Sequence, residues 1–266
     1  MSTEPLASPI LQRPPDDEAP LGRLLRVLEP FEAREVERVR GMLEIAAGLR
    51  PVPPLAPLQE MRLLFVPGLN DEPWCERSAL PISSVLERAY PAILLELMAL
   101  MSHDFINYRA SYGKGESAPR DNDPGWRQFA LYRSGRRIDE NCARAPRTAA
   151  ILDSLPIAHD AAFSLLDPGT TIEAHSDWLN FWVTCHLGLE IPPGSWIRVG
   201  TETRTWTEGK CLVLSTSFEH EASNPSDQRR VVLLVDTWHP DLSPVEVEAM
   251  KRLRPHMERA LGVTPG

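Results

Sequence analysis

The 266-residue sequence has few of the residues that would mark a zinc knuckle, a disulfide scaffold or a membrane span. Its four cysteines, Cys75, Cys142, Cys185 and Cys211, are scattered without CxxC spacing, so they read as reduced structural thiols. No stretch approaches the roughly 18 uninterrupted apolar residues of a membrane helix. The opening MSTEPLASPILQRPPDDEAP has neither the basic start nor the apolar segment of a secretory signal, and a cytoplasmic location is expected. Positive charge is also scarce. Lys and Arg number 28 against 37 Asp and Glu, a net charge of −9, which gives no field to attract a phosphate backbone. Nucleic acid and membrane are therefore not expected partners, and no internal repeat is visible.

Proline, by contrast, is plentiful at 26 residues, and it punctuates the chain. Residues 1–20 are proline-rich and acidic and are not expected to hold a fixed fold. From Leu21 to Leu49 apolar residues recur at helical spacing, and Pro30 divides the run into two helices. Pro51 to Pro57 reads as a linker. Residues 1–60 thus form an N-terminal extension whose helices pack on the main domain or on a second copy of the chain; the sequence leaves both open. The main domain is expected over 61–266. Ser84 to Met101 has helical spacing, with Leu86, Ile93, Leu94, Leu97 and Met98 facing a core and Pro91 kinking the helix or opening it.

After Asp123 the pattern shortens. WRQFALYR, AAFSLLD, NFWVTCHLGLEI, SWIRVG, TRTWTEG, KCLVLSTSF and RRVVLLVDTW are strand-like and separated by DPGT, PPG, EG and NPSD turns. Short strands with regular turn signals predict a mainly β domain with flanking helices, of the jelly-roll kind. Ser243 to Leu261 closes the chain as a helix, with Ser243 as cap, Pro244 in the first position and Glu246 completing a capping box.

The stretch EAHSDWLNFW carries the chemistry. If His175 to Asp177 is extended, both side chains leave one face of a strand. His220, at the end of a strand over Cys211 to Ser217, supplies a third ligand. Two histidines and a carboxylate on one side of a metal form the facial triad of non-haem Fe(II) oxygenases, with the opposite side open for O2 and a co-substrate. Ten positions further on, RRVVLLVDTW carries an arginine into an apolar strand on either face. A desolvated guanidinium needs an anion, and Arg230 suits the far carboxylate of 2-oxoglutarate through a bidentate fork.

With these residues in view, GWRQFALYRSGRR, CARAPRTAAIL, FSLLDPGTTIEAH, CHLGLEIPPG, IRVGTETRTWTEGK, SFEHEASN and RRVVLLVDTWHPDLSP together resemble the aspartyl/asparaginyl β-hydroxylase family, from about Gly125 to Pro244. The resemblance implies a double-stranded β-helix, cupin-like in architecture, that binds Fe(II) and 2-oxoglutarate. It puts His175 and His220 on the metal, Ser164 and Arg230 on the distal carboxylate of 2-oxoglutarate, and His186 in the same cosubstrate pocket. Two departures stand out. Vertebrate members have glycine where this chain has Asp177, whereas bacterial lipid A hydroxylase relatives have the HxD of this chain, so Asp177 completes a triad or holds a metal-bound water. Thr184 stands where the family usually has an arginine, which implies either a different anion anchor or a less acidic substrate and makes peptidyl aspartate a poor expectation.

The resulting expectation is an Fe(II)/2-oxoglutarate-dependent hydroxylase that uses O2, releases succinate and CO2, and oxidises an unactivated C–H bond of an amino acid, free, peptidyl or carrier-bound. Desaturation or cyclisation on the same fold, and a non-catalytic cupin-like sensing protein, are the alternatives. Trp126, Trp182 and Thr184 are the substrate-side candidates, with Trp178 behind them. Arg136 and Arg137 fit either a substrate carboxylate or an exposed turn after a strand, Asp236 and His239 structural hydrogen bonds, and His103, His159 and His256 the surface.

Overall fold

A computed structural model describes residues 20–60, 64–70, 72–76, 80–100, 102–107, 125–177 and 179–261. The expectations placed on residues 1–19, on a boundary at Met61 and on Trp178 fall outside them. By contact the chain divides into two compact units. One contains residues 1–71, 178–181 and 239–266, the other 72–177 and 182–238. The C-terminal helix, assigned from sequence to the domain beginning at 61, groups with the N-terminal helices. Among the described residues no helix is long and apolar enough to cross a membrane.

The first unit contains α1 (Pro20–Val27), α2 (Glu37–Ala46) and a long C-terminal helix (Pro244–Leu261). The capping box forms as expected: Ser243 Oγ accepts from the Glu246 backbone N–H at 3.2 Å, and the Glu246 carboxylate accepts from the Ser243 N–H at 2.8 Å. Arg38 of α2 adds a two-pronged grip on the same carboxylate, at 2.7 and 2.6 Å. Burial pushes the Glu246 carboxyl up, but the bonds from Arg38 and Ser243 outweigh it and hold the group below its usual value. Glu246→Ala removes the three carboxylate bonds at a buried position and leaves the backbone bond to Ser243 Oγ. It is expected to destabilise the protein by about 1.5–3 kcal/mol in denaturant unfolding, the range for hydrogen bonds to a charged group.

The second unit contains all the strands among the described residues. Helix α3 (Pro81–Ala99) and the short helices α4 (Asp139–Arg144) and α5 (Pro146–Asp153) accompany β1 (Trp74–Cys75), β2 (Ile106–Asn107), β3 (Trp126–Arg133), β4 (Arg136–Arg137), β5 (Ile157–Leu166) and β6 (Thr170–His175). The remaining strands are β7 (Trp182–Glu190), β8 (Trp196–Val199), β9 (Glu202–Arg204), β10 (Cys211–Leu214), β11 (His220–Asn224) and β12 (Arg230–Trp238). They form two antiparallel sheets, one ordered β1-β10-β7-β12-β5-β3-β2 with β4 beside β3, the other β6-β11-β8-β9. Chain-distant strands alternate within each sheet, the winding of a double-stranded β-helix.

Period-2 alternation divides the larger sheet into an apolar and a polar face. On one face Phe129, Phe163, Leu165, Leu187, Val231 and Leu233 pack with Leu86, Ile93 and Leu97 of α3 and Leu152 of α5 in a single buried core. Met98 does not join them. Leu97 already occupies the core-facing position, and the next residue is rotated about 100° away, leaving Met98 66% exposed. Pro91 lies inside α3, whose first turn is opened by Pro81 instead. Arg136 and Arg137 are exposed, beyond a two-residue hairpin turn at Ser134 and Gly135, both with positive φ.

Candidate active site

His175 closes β6, His220 opens β11, and the two are direct cross-strand partners in the smaller sheet. Opposed residues of an antiparallel pair share a face, so the register alone brings the imidazoles together, with ring centroids 4.2 Å apart. Two details differ from the sequence expectation. His220 begins a strand of the second sheet rather than ending the strand 211–217, because the chain changes sheets through Ser215–Glu219. Asp177 lies beyond the end of β6, where its backbone N–H donates to the Thr216 carbonyl at 2.8 Å. That bond ties Asp177 to the Ser215–Glu219 crossover that leads into His220. The three residues offer ligand-capable atoms within 4.8 Å of one another. His175 and His220 are half-buried and Asp177 exposed, which places the set at an accessible edge rather than in the core.

The tautomers follow from geometry. His175 Nδ1 lies 2.7 Å from the Glu173 carbonyl, and His220 Nδ1 lies 2.9 Å from the Phe218 carbonyl. A carbonyl only accepts, so both Nδ1 atoms carry the proton and both Nε2 lone pairs are available to a metal, as outer hydrogen bonds orient ligand histidines generally. Burial, with His175 nearby and against the pull of Asp177, lowers the His220 pKa to about 4 and keeps that ring neutral. Arg198 of β8 braces the strand by bonding Glu219 at 2.8 Å and Glu221 at 2.5 Å, the two neighbours of His220.

Beside this set lies the polar face of the larger sheet. Cross-strand pairs Ser164 with Val232, His186 with Leu234, Thr184 with Asp236 and Trp182 with Trp238 put these side chains, Arg230 and Trp126 on one face. Of the two candidate arginines, Arg229 points to the other side and is held by Glu190 at 2.6 and 2.8 Å. Arg230 is 2% exposed, and its Nε has no hydrogen-bond partner among the described residues. Burial alone pulls its pKa down to about 9. Burial, followed by the charges of Arg230 and His220, lowers His186 to about 3, so it is a neutral imidazole at any ordinary pH. The Trp126 indole N–H donates to Ser164 Oγ at 3.1 Å, and its ring centroid is 6.4 Å from that of His175.

Thr184, Asp236 and Trp182 make up the remainder of this wall. Thr184 Oγ1 donates to Asp236 at 2.7 Å, and the Asp160 N–H donates to the other carboxylate oxygen at 3.1 Å. Burial first, then the negative charge of Asp160, raises Asp236 to about 8, with Asp177 adding to the effect. Trp182 stacks on His159, with centroids 4.7 Å apart and planes 5° from parallel. His159, expected on the surface, is buried there because the stack covers it. His103 and His256 are exposed as expected. Asp160, just before the AAFSLLD block, gave no signal in the sequence, and Trp206 none beyond membership of the TRTWTEG block.

These shifts fix a pH profile for the metal-free protein. Below about 6.5 the unfolded chain takes up histidine protons that the folded state refuses down to about 4 at His220 and about 3 at His186, so stability falls with falling pH. Between about 4 and 8 the unfolded chain releases the Asp236 proton that the folded state keeps, so stability falls with rising pH. Two histidines outweigh one aspartate below about 6.5; above it only Asp236 acts. The expected Tm maximum is therefore near pH 6.5, with Asp236→Asn removing the decline toward pH 8. A wild-type Tm that keeps rising above about 6.5 would contradict this assignment.

A double-stranded β-helix with two histidines and a carboxylate at one edge, beside a buried guanidinium, defines the class: a barrel protein whose donor set suits one divalent metal. The sequence matches the profile described as Aspartyl/Asparaginyl beta-hydroxylase over residues 87–240, and the chain belongs to that hydroxylase family. It is 37% identical over 223 residues to the mouse aspartate beta-hydroxylase domain-containing protein 1, covering 80% of this chain and 61% of that protein. It is 34% identical over 202 residues to the human aspartyl/asparaginyl beta-hydroxylase, covering 71% of this chain and 26% of the other. The chain thus spans under two thirds of either relative. Among solved structures, a Pseudomonas putida prolyl-4-hydroxylase aligns over 63% of this chain and 92% of its own, at 13% identity and a TM-score of 0.36.

Proposed function

We propose that this protein is an Fe(II)/2-oxoglutarate-dependent hydroxylase acting on an amino acid or an amino-acid-derived substrate, free, peptidyl or carrier-bound. One observation supports the reading above all others. A fully buried guanidinium with an unsatisfied Nε shares a sheet face with Ser164 and His186 and lies beside a His, Asp, His donor set. A buried cation with no carboxylate partner among the described residues is costly, so its retention calls for an anion of matching shape. A sensing protein without an anionic cosubstrate has no use for it.

The donor set fits Fe(II): two imidazole nitrogens and one carboxylate oxygen on one side leave the other positions open. In this reading His175 and His220 hold the metal through Nε2, and Asp177 completes the set. When bound, the iron and 2-oxoglutarate supply the oxidising power, with O2 as oxidant and succinate and CO2 released. The chain's residues do the rest. Arg230 grips the distal carboxylate of 2-oxoglutarate with a charge-assisted fork, and the Ser164 hydroxyl, oriented by Trp126, adds a donor. Buried aromatic residues keep water from that end of the pocket, and the substrate's C–H bond is held by contacts rather than by a side-chain base.

Trp126, Trp182 and Thr184 are assigned to the substrate side. Thr184 hydrogen-bonds Asp236, so this wall carries a carboxyl group rather than a cation, and an acidic side chain is a poor fit. The experiment is incubation of the iron-loaded protein with 2-oxoglutarate and a panel of free amino acids and short peptides, read by mass spectrometry. The expected result is a gain of one oxygen on one substrate with stoichiometric succinate. Succinate-free incubations throughout, with every substrate unchanged, would refute the reading.

A further inference from the structure

Trp206, in the loop between β9 and β10, touches both Arg230 and His186. Its ring lies under the Arg230 guanidinium, with the guanidinium carbon 4.7 Å from the ring centroid. Its indole N–H donates to His186 Nδ1 at 3.4 Å. The loop reaches this position because of Gly188, two residues beyond His186. A Cβ there would meet the Thr207 carbonyl oxygen at 2.5 Å, so only glycine lets the backbone after Trp206 press against β7. The Gly209 N–H donates to the Gly188 carbonyl at 2.9 Å, and the Gly188 N–H to the Lys210 carbonyl at 3.0 Å, fixing the loop on both sides.

An indole N–H can only donate, so His186 Nδ1 must be an acceptor and the proton of the neutral ring must sit on Nε2. This is the opposite tautomer to that of His175 and His220, whose Nδ1 atoms face carbonyls. We infer that Trp206 is a positioning residue of the anion pocket: it holds Arg230 by a cation–π contact and fixes His186 as an Nε2–H donor, so that the pocket offers a guanidinium and an imidazole N–H together. The inference rests on the proposal that 2-oxoglutarate is the anion. Without Trp206, His186 would be free to turn its lone pair toward the same carboxylate, converting an attraction into a repulsion.

Two measurements test it. In the metal-free wild-type protein, 15N NMR of the histidine rings should show His186 protonated at Nε2 and bare at Nδ1; protonation at Nδ1 overturns the inference whether or not any variant folds. The second measurement is calorimetric binding of 2-oxoglutarate to Zn(II)-loaded protein, which needs no turnover. Trp206→Phe keeps a ring face and loses the N–H, and weaker binding by roughly three- to tenfold is expected from one lost hydrogen bond. Trp206→Leu also loses the face, and about a 30-fold effect is expected for a desolvated contact. Zn(II) affinity should be unchanged in Trp206→Phe, since a merely structural role would weaken both ligands together. Wild-type binding with no change in Trp206→Phe overturns this inference alone. Absence of 2-oxoglutarate binding to wild type overturns the inference and the cosubstrate reading together, while the tautomer stands or falls on the NMR spectrum.

Discussion

His220→Ala is expected to lose turnover by well over a hundredfold and to bind divalent metal far more weakly, with the fold retained. Residues that merely orient a metal ligand typically change affinity or activity by about 10–100-fold, and His220 is placed as a ligand itself. Its loss also breaks the cross-strand pair with His175, leaving one imidazole and one exposed carboxylate, which cannot enclose a metal from three directions. The fold should tolerate the change because His220 is half-buried at a strand end, and the bracing bonds of Arg198 to Glu219 and Glu221 do not involve it. Circular dichroism and metal titration separate the two effects. His220→Ala with wild-type turnover would remove the histidine from the site.

Arg230→Met is expected to behave in the opposite way for stability and for binding. Truncating one member of a buried charge pair costs about 2–5 kcal/mol, so the 2-oxoglutarate requirement should rise by roughly 30- to several-thousand-fold. In the ligand-free protein, however, the guanidinium is buried with an unsatisfied Nε, and burial already draws its pKa down to about 9. Replacing buried charge by an apolar side chain of similar volume is often neutral or stabilising, so Tm of the metal-free protein should hold or increase. The combination distinguishes a residue kept for a ligand from one kept for the fold. A drop in Tm with an unchanged 2-oxoglutarate requirement would assign Arg230 to the fold alone.

Much of this site is legible in the sequence because strand chemistry is local. Arg230 within RRVVLLVDTW and His186 within CHLGL lie on strands whose apolar runs fix their direction, and a charged residue in such a run stands out. The choice between Arg229 and Arg230 was not legible, since period-2 alternation gives two faces without saying which is the interior; Glu190 on the neighbouring strand decides it. Asp177 lies beyond the end of β6 and is held by the Thr216 carbonyl, a contact some 40 residues distant that no local pattern encodes. The same is true of Trp206, carried under Arg230 by the absence of a side chain at Gly188. The two short helices α4 and α5 were missed because each has fewer than three turns in which to show a period. His159 was misplaced because a lone histidine carries no sign of the tryptophan that will cover it.

The most direct test of the account is anaerobic addition of 2-oxoglutarate to the Fe(II)-loaded protein, followed by visible absorption. Chelation of 2-oxoglutarate to iron held by His175, Asp177 and His220 should give a weak charge-transfer band that is absent in His220→Ala and requires far more 2-oxoglutarate in Arg230→Met. No band in the wild type at saturating iron and 2-oxoglutarate would contradict it.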